Sequence, residues 1–215
     1  MNKNLLAGKK NIFWDFDGVI KDSVRVKTEA FRSLFLNVDQ KIQDNIVNHH
    51  LDNGGMSRFN KIPIYLDWVG LEPSKQNIER YINLFAKQVE KGVVESQWIP
   101  GVLEALKIFD GIEKHNILVT ATPFDEIMRI VSQLSIKEPF SKIFGAPSLK
   151  SESMLFSLSL YGVDTKEALM IGDSKADYLA AKECGIEFLL RRTTENFNSF
   201  QNYKGLSIYD FKDVQ

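Results

Sequence analysis

Five short apolar runs, each stopping at small or polar residues, constrain this 215-residue chain more than any other feature. Asn11 to Phe16 (NIFWDF) is broken by Gly18. Ile117 to Val119 runs into TATP, Lys142 to Phe144 into GAPS, Ala168 to Ile171 into GDSKAD, and Glu187 to Leu190 into RRTT. Runs of this length, bounded by turn residues, read as buried strands. Helices fit between them. Pro123 suits the first turn of a helix through Leu134, Ser151 can cap one through Leu160, and Ser174 opens one that ends at Cys184-Gly185. Strands alternating with helices predict an α/β fold, a Rossmann-like parallel sheet sandwiched between helical layers with right-handed crossovers. Such a sheet binds its ligand outside the carboxyl ends of its strands, where these polar residues fall.

From about Asp22 to Gln97 the alternation stops. Helical periodicity is present in VKTEAFRSLFLNV and KQNIERYINLFAKQVEKGV, with no internal strand pattern. This predicts a helical insert over 22–97 within a catalytic core made of 1–21 and 98–215, with Pro100 and Gly101 marking the return. An insert leaving from the ligand edge of the sheet is placed to cover it.

Composition narrows the partners. The 27 basic and 28 acidic residues nearly cancel, which leaves no electrostatic footprint for nucleic acid. No apolar run approaches the roughly 18 residues of a membrane span, and MNKNLLAGKK lacks the pattern of a secretory signal. One cysteine, Cys184, excludes an internal disulfide. A small diffusible ligand and a reducing, cytoplasmic setting are the expectation; the oligomeric state is not written in the sequence.

Four constellations carry chemistry. In Asp15-Phe16-Asp17-Gly18-Val19, two carboxylates at a strand end can face one cavity once glycine turns the chain; one can attack phosphorus while the other handles protons. Asp and Gly also favour a plain turn there. In Gly172-Asp173-Ser174-Lys175-Ala176-Asp177, oxygen ligands at a strand end suit magnesium, although acids also favour a helix start. Thr120, with the N–H of Ala121 near a helix N-terminus, can bind phosphate oxygens. Lys150, opening a helix, can screen the charge that a nucleophilic Asp15 shares with phosphate.

Together these four resemble the haloacid dehalogenase superfamily of phosphohydrolases, whose pattern is DxDx[VT], a strand ending in Thr or Ser, a Lys, then GDxxxD. The resemblance spans residues 15 to 177. It implies Asp15 as nucleophile, Asp17 as general acid and base, and Gly18, Thr120, Ala121 and Lys150 as the phosphate-binding set. It also implies magnesium held by Asp15, Asp173 and the backbone carbonyl of Asp17, with Asp177 orienting Lys150 or a metal-bound water. GAPSLKSE departs from the family's commoner K-P-x-P; Lys142 is the alternative, but it precedes its strand and falls at the wrong end. An acid two residues after the nucleophile is what ester cleavage needs, so the resemblance favours a phosphatase, or a phosphomutase, over a dehalogenase.

The insert resembles the family's type-one cap. Its Gly54-Gly55-Met56-Ser57-Arg58 is similar to the cap loop of β-phosphoglucomutases, which implies that Arg58 anchors a second anion of the substrate. His49 and His50 lack metal-ligand spacing and read as ordinary loop residues, and His115 as a residue just before a strand. The leading expectation is a magnesium-dependent phosphatase of a sugar phosphate or phosphoglycolate-like acid. A hexose-phosphate mutase and a non-catalytic binding protein that keeps the fold are the alternatives.

Overall fold

A computed structural model of the chain describes residues 6, 8–109 and 114–212. Six parallel strands form one sheet in the order β3-β2-β1-β4-β5-β6. These are β1 (Asn11–Trp14), β2 (His115–Pro123), β3 (Phe140–Ala146), β4 (Ala168–Gly172), β5 (Glu187–Arg191) and β6 (Leu206–Ile208). The order reverses beside β1, between β2 and β4. That is where a doubly wound sheet opens its ligand crevice.

The apolar runs are buried on both faces. Ile12 and Trp14 point into one core layer with Leu118, Leu169, Ile171 and Leu189. Phe13 points into the other with Ile117, Val119, Met170 and Leu190. A strand covered on both sides has no need of polar alternation, so continuous hydrophobic runs are what a central parallel sheet requires. Each such side chain contributes roughly 1.5–3 kcal/mol by leaving water. The Trp14 indole N–H is satisfied by the Asn116 side-chain oxygen at 2.9 Å.

Helices α5 (Val102–Ile108), α6 (Phe124–Gln133), α7 (Lys150–Tyr161) and α8 (Lys175–Glu183) join or flank the strands. Helix α8 starts at Ser174 in a full capping box with Asp177, as its sequence predicts. Two starts differ. Pro123 precedes α6 as its N-cap residue, and α7 begins at Lys150 after Leu149, so Ser151 lies inside the helix and does not cap it. The β6 strand was not expected: three residues are too few to show a period.

The insert is helical throughout, with α1 (Val24–Leu34), α2 (Gln40–Asp52), α3 (Arg58–Trp68) and α4 (Lys75–Glu95). Only α1 and α4 were legible as periodic segments. Helix α3 carries Pro63 in its interior, and α2 mixes Asn and His with its apolar residues. His49 and His50 therefore correct the loop reading, because both sit in the last turn of α2. His115 is the first residue of β2 and stacks on Tyr161. No described helix is long and apolar enough to cross a membrane.

The insert joins the core through two adjacent strands of chain. Asp22 N–H donates to the Gln97 carbonyl at 2.8 Å, and Ile99 N–H to that of Ile20 at 3.0 Å. Between them the Lys21 ammonium donates to the Val94 carbonyl at 3.0 Å and lies over the Trp98 ring at 4.2 Å. The two crossings run antiparallel, bridged at Lys21 and Trp98. On the far side, insert and core meet again through ion pairs to α6. Arg58 grips Glu126 with two bonds of 2.9 and 2.6 Å, both side chains 4% exposed. Arg129 pairs with Glu90 of α4 at 2.8 Å in a half-exposed position. The buried pair is the stronger constraint, because burying either charge without its partner costs about 3–5 kcal/mol.

Glu126→Ala is thus expected to release the insert, seen as faster amide hydrogen exchange in α3 and the 21–23 and 96–99 crossings. Arg58→Met combined with Glu126→Leu should restore slow exchange. Unchanged exchange in Glu126→Ala would show that the pair does not hold the two parts together.

Candidate active site

The carboxyl ends of β1, β2 and β4 meet the insert around a partly enclosed cavity of about 60 Å³, lined among others by Asp15, Asp17, Thr120, Ala121, Asp173, Lys27, His50, Arg58 and Lys61. Asp15 follows the last residue of β1, and its N–H still bonds the Ile171 carbonyl of the β4 edge at 2.9 Å. Its Oδ1 accepts from the Phe16 N–H and the Lys150 ammonium, both at 2.8 Å. Its Oδ2 takes no donor from the described residues. One oxygen is fixed and the other is free.

Lys150 reaches this point from the first residue of α7 and also donates to Asp177 Oδ1 at 2.5 Å. Burial opposes its charge, but Asp15 and Asp177 raise its pKa, so it stays protonated. Lys142 is exposed on β3, far from this role. Asp177 has no oxygen to spare: Oδ2 accepts from the Ser174 N–H at 3.0 Å and the Ser174 hydroxyl at 2.6 Å. It orients Lys150.

Asp173 has no such support. It is buried, yet its carboxylate accepts no hydrogen bond from the described residues. Burial, then Asp15 and Asp177, push its pKa well above the ordinary value. Burial and Asp177 push Asp15 up to about 7 against the pull of Lys150. One carboxylate oxygen from each of Asp15, Asp173 and Asp177 lies within 4.8 Å of the others. Three buried carboxylates facing one ammonium leave a local deficit of positive charge. Oxygen donors only, with one carboxylate lacking any protein donor, fit a hard divalent cation such as magnesium.

Gly18 allows the approach. Its φ is +76°, and a Cβ there would sit 2.2 Å from Asp173 Oδ2. Its own N–H is taken by the Lys21 carbonyl at 2.8 Å, so Gly18 acts through shape. Thr120 and Ala121, expected just past a strand, lie within the longer β2. There the pairing with β3 slips between Val119 and Pro123, which turns this stretch out of the regular ladder toward the cavity.

Asp17 is held from three sides. Ser23 donates to its Oδ1 at 2.6 Å, the Thr122 hydroxyl to its Oδ2 at 3.3 Å, and the Lys27 ammonium pairs with Oδ2. Lys27 also donates to Thr122 Oγ1 at 2.8 Å. Burial raises the Asp17 pKa, but Lys27 and these hydrogen bonds outweigh it and hold the carboxyl below its ordinary value. Lys27 and Thr122 were missed by sequence reasoning. Lys27 lies on a helical face that reads as solvated, and only the folded chain brings it to Asp17.

Arg58 lines the cavity as its position implies, but its guanidinium is bound to Glu126. The insert contributes another buried cation there. Lys61, 1% exposed, donates to His50 Nδ1 at 2.9 Å and to the His50 carbonyl at 3.3 Å. Gly55 packs so closely on the Asp173 loop that a Cβ would meet Ala176 Cβ at 2.4 Å. The insert therefore closes directly on the carboxylate loop.

Known proteins resemble this chain in sequence and fold. The haloacid dehalogenase-like hydrolase family model matches residues 12–190. A phosphoglycolate phosphatase of Pseudomonas savastanoi pv. phaseolicola is 26% identical over 195 residues, covering 86% of this chain and 70% of the relative. That of Photorhabdus laumondii is also 26% identical, covering 86% and 81%. Among solved structures, a predicted phosphoglycolate phosphatase from Haemophilus somnus superposes with TM-score 0.76 at 19% identity, covering 97% of both chains. A β-phosphoglucomutase from Clostridium difficile gives 0.74 at 18% identity, covering 96% and 93%. The matched span runs from β1 into β5 and so takes in the whole carboxylate cluster, and on that evidence the chain belongs to the haloacid dehalogenase-like hydrolase family.

Proposed function

We propose that the protein is a magnesium-dependent phosphatase that cleaves a small phosphorylated metabolite through an aspartyl phosphate on Asp15. The observation that carries this is the asymmetry at Asp15, with Oδ1 fixed by Phe16 and Lys150 and Oδ2 free toward the cavity. Beside it stands Asp173, buried without a protein donor. A scaffold that had only kept the fold would have no reason to retain such costly charges.

Asp15 and Asp173 would hold magnesium with the Asp17 carbonyl, and the ion supplies charge neutralisation that lets an anionic oxygen approach an anionic phosphoryl group. Lys150 binds the same phosphoryl group from the other side, with the Thr120 hydroxyl and the Ala121 N–H. Asp15 Oδ2 attacks phosphorus, and the bond to the ester oxygen breaks. The departing alkoxide needs a proton, and Asp17 gives it. Asp17 waits ionised, so its proton must come through its hydrogen bonds. Lys27 carries one a single transfer away. The same carboxylate then takes a proton from the water that attacks the aspartyl phosphate, which releases phosphate and restores Asp15. The relatives named as phosphoglycolate phosphatases support a short acid as substrate. So does the narrow cavity: 60 Å³ lies far below the roughly 300 Å³ at the low end of drug-sized sites. A hexose-phosphate mutase would have to close over a larger sugar, which places that alternative second.

Asp15→Asn should abolish release of phosphate from p-nitrophenyl phosphate with magnesium, while circular dichroism stays that of the wild type. Turnover within tenfold of wild type would remove Asp15 as nucleophile. Lys27→Met is expected to slow cleavage of an alkyl phosphate at least about 100-fold more than that of p-nitrophenyl phosphate, whose leaving group needs no proton. Equal losses would place the proton source elsewhere. Magnesium should raise the melting temperature of the wild-type protein in the absence of substrate, and Asp173→Asn should remove that rise. A rise that survives in Asp173→Asn would move the ion to other ligands.

A further inference from the structure

Five cationic side chains line or reach the cavity: Lys27, Arg58, Lys61, Lys150 and Lys175. Lys150 is held by Asp15 and Asp177, Lys27 by Asp17, and Arg58 by Glu126. Lys175 is exposed at the start of α8. That leaves Lys61. Its ammonium is buried at 1% exposure, its hydrogen-bond partners are the His50 ring and carbonyl, and no described carboxylate pairs with it. Burial, then the neighbouring Lys27, press its pKa down to about 7, and the Asp17 carboxylate, already paired with Lys27, offsets this only in part. His50 offers no charge in return: burial and then Lys61 and Lys27 hold it neutral, well below the ordinary imidazole value. A buried cation without a counter-ion is a costly arrangement unless an anion arrives to complete it.

We infer that Lys61, oriented by His50, anchors a carboxylate at the far end of the substrate's short carbon chain, and so selects two-anion esters over one-anion esters. This rests on the phosphatase reading and deepens it. One unmatched positive charge calls for one negative charge, which a carboxylate supplies, whereas a second phosphate would bring about two. Arg58, the residue the cap-loop resemblance implies, is left to hold insert and core together through Glu126. The anion then does two things at once. It lands on the insert wall while the phosphoryl group meets Asp15 and Lys150 on the core, so only a molecule short enough to touch both walls is clamped under the closed insert.

The test compares 2-phosphoglycolate with its uncharged amide, two esters alike in shape. Wild-type protein with magnesium should cleave the acid at least about tenfold more efficiently, in kcat/KM, than the amide. Lys61→Met should bring that ratio to within about twofold, and Lys61→Gln the same. Arg58→Met combined with Glu126→Leu should keep it. Lys61→Met should also melt no lower than the wild type, since the change removes a buried charge, whereas a merely structural lysine would lower it. A ratio that persists in Lys61→Met, or that is lost only in the Arg58 double variant, overturns the assignment. Calorimetric titration of both esters into Asp15→Asn protein, alone and with Lys61→Met added, measures the same preference without turnover. If the wild type cleaves neither ester yet the acid still binds better through Lys61, the phosphatase reading falls and the anchor stands. Equal binding of acid and amide sinks the anchor whatever the catalysis.

Discussion

The crowding of Asp15, Asp173 and Asp177 around Lys150 is the constraint on which the rest of this structure turns. Like charges in a buried site repel strongly, and here burial and mutual repulsion lift Asp15 to about 7 and Asp173 well above the ordinary carboxylate value. A fold that maximised stability would put apolar side chains at these strand ends. Keeping carboxylates there requires a rigid frame, and the six-stranded sheet supplies it: Asp15 and Asp173 both leave from central strands paired in register, Trp14 beside Ile171. The capping box at Ser174 gives Asp177 a second task, because the carboxylate that starts α8 is also the one that positions Lys150. One carboxylate thereby closes the helix cap through Oδ2 and holds Lys150 through Oδ1.

The same logic separates the two aspartates of the first loop. Asp15 faces acids and is pushed up; Asp17, two residues on, faces Lys27, Ser23 and Thr122 and is held down. The two carboxylates thus sit in opposite surroundings, one crowded by like charges and the other beside a cation and two hydroxyl donors. Lys27 comes from the insert and Thr122 from the core, so Asp17 is set by a contact between the two parts.

How far the sequence could be read follows from where each signal lies. The central strands were legible because burial on both faces writes itself as a run of apolar residues, and Asp15, Asp17, Thr120, Lys150, Asp173 and Asp177 were legible because each stands at the end of such a run or opens the next helix. The folded chain does bring them to one place. The insert was legible only as helical. Helices α2 and α3 carry few periodic apolar residues, Pro63 interrupts the second, and His49 and His50 accordingly read as loop. Lys27, Thr122, Lys61 and Glu126 had no local signal at all: a charged residue on a helix looks solvated until the partner that buries it is known. Arg58 shows the converse. Its glycine-rich setting pointed to the cavity, and it does line it, but its occupant comes from α6, 68 residues away.

Closure ties these contacts together. With the insert down, Lys27 meets Asp17, Arg58 meets Glu126, and Gly55 rests against the Asp173 loop with no room for a side chain. Lys27 and Arg58 of the insert therefore find their counter-charges on the core, which favours the closed form even without a ligand. Lys61 is the exception: its ammonium is buried against His50 of its own insert, and no described carboxylate pairs with it. A binding site whose empty closed state is held by two pairs and strained by one unmatched charge responds to the ligand that cancels that charge. A one-anion ester gains the phosphate contacts on the core but leaves the strain in place. The discrimination between substrates then resides in the insert, while the chemistry resides in the sheet.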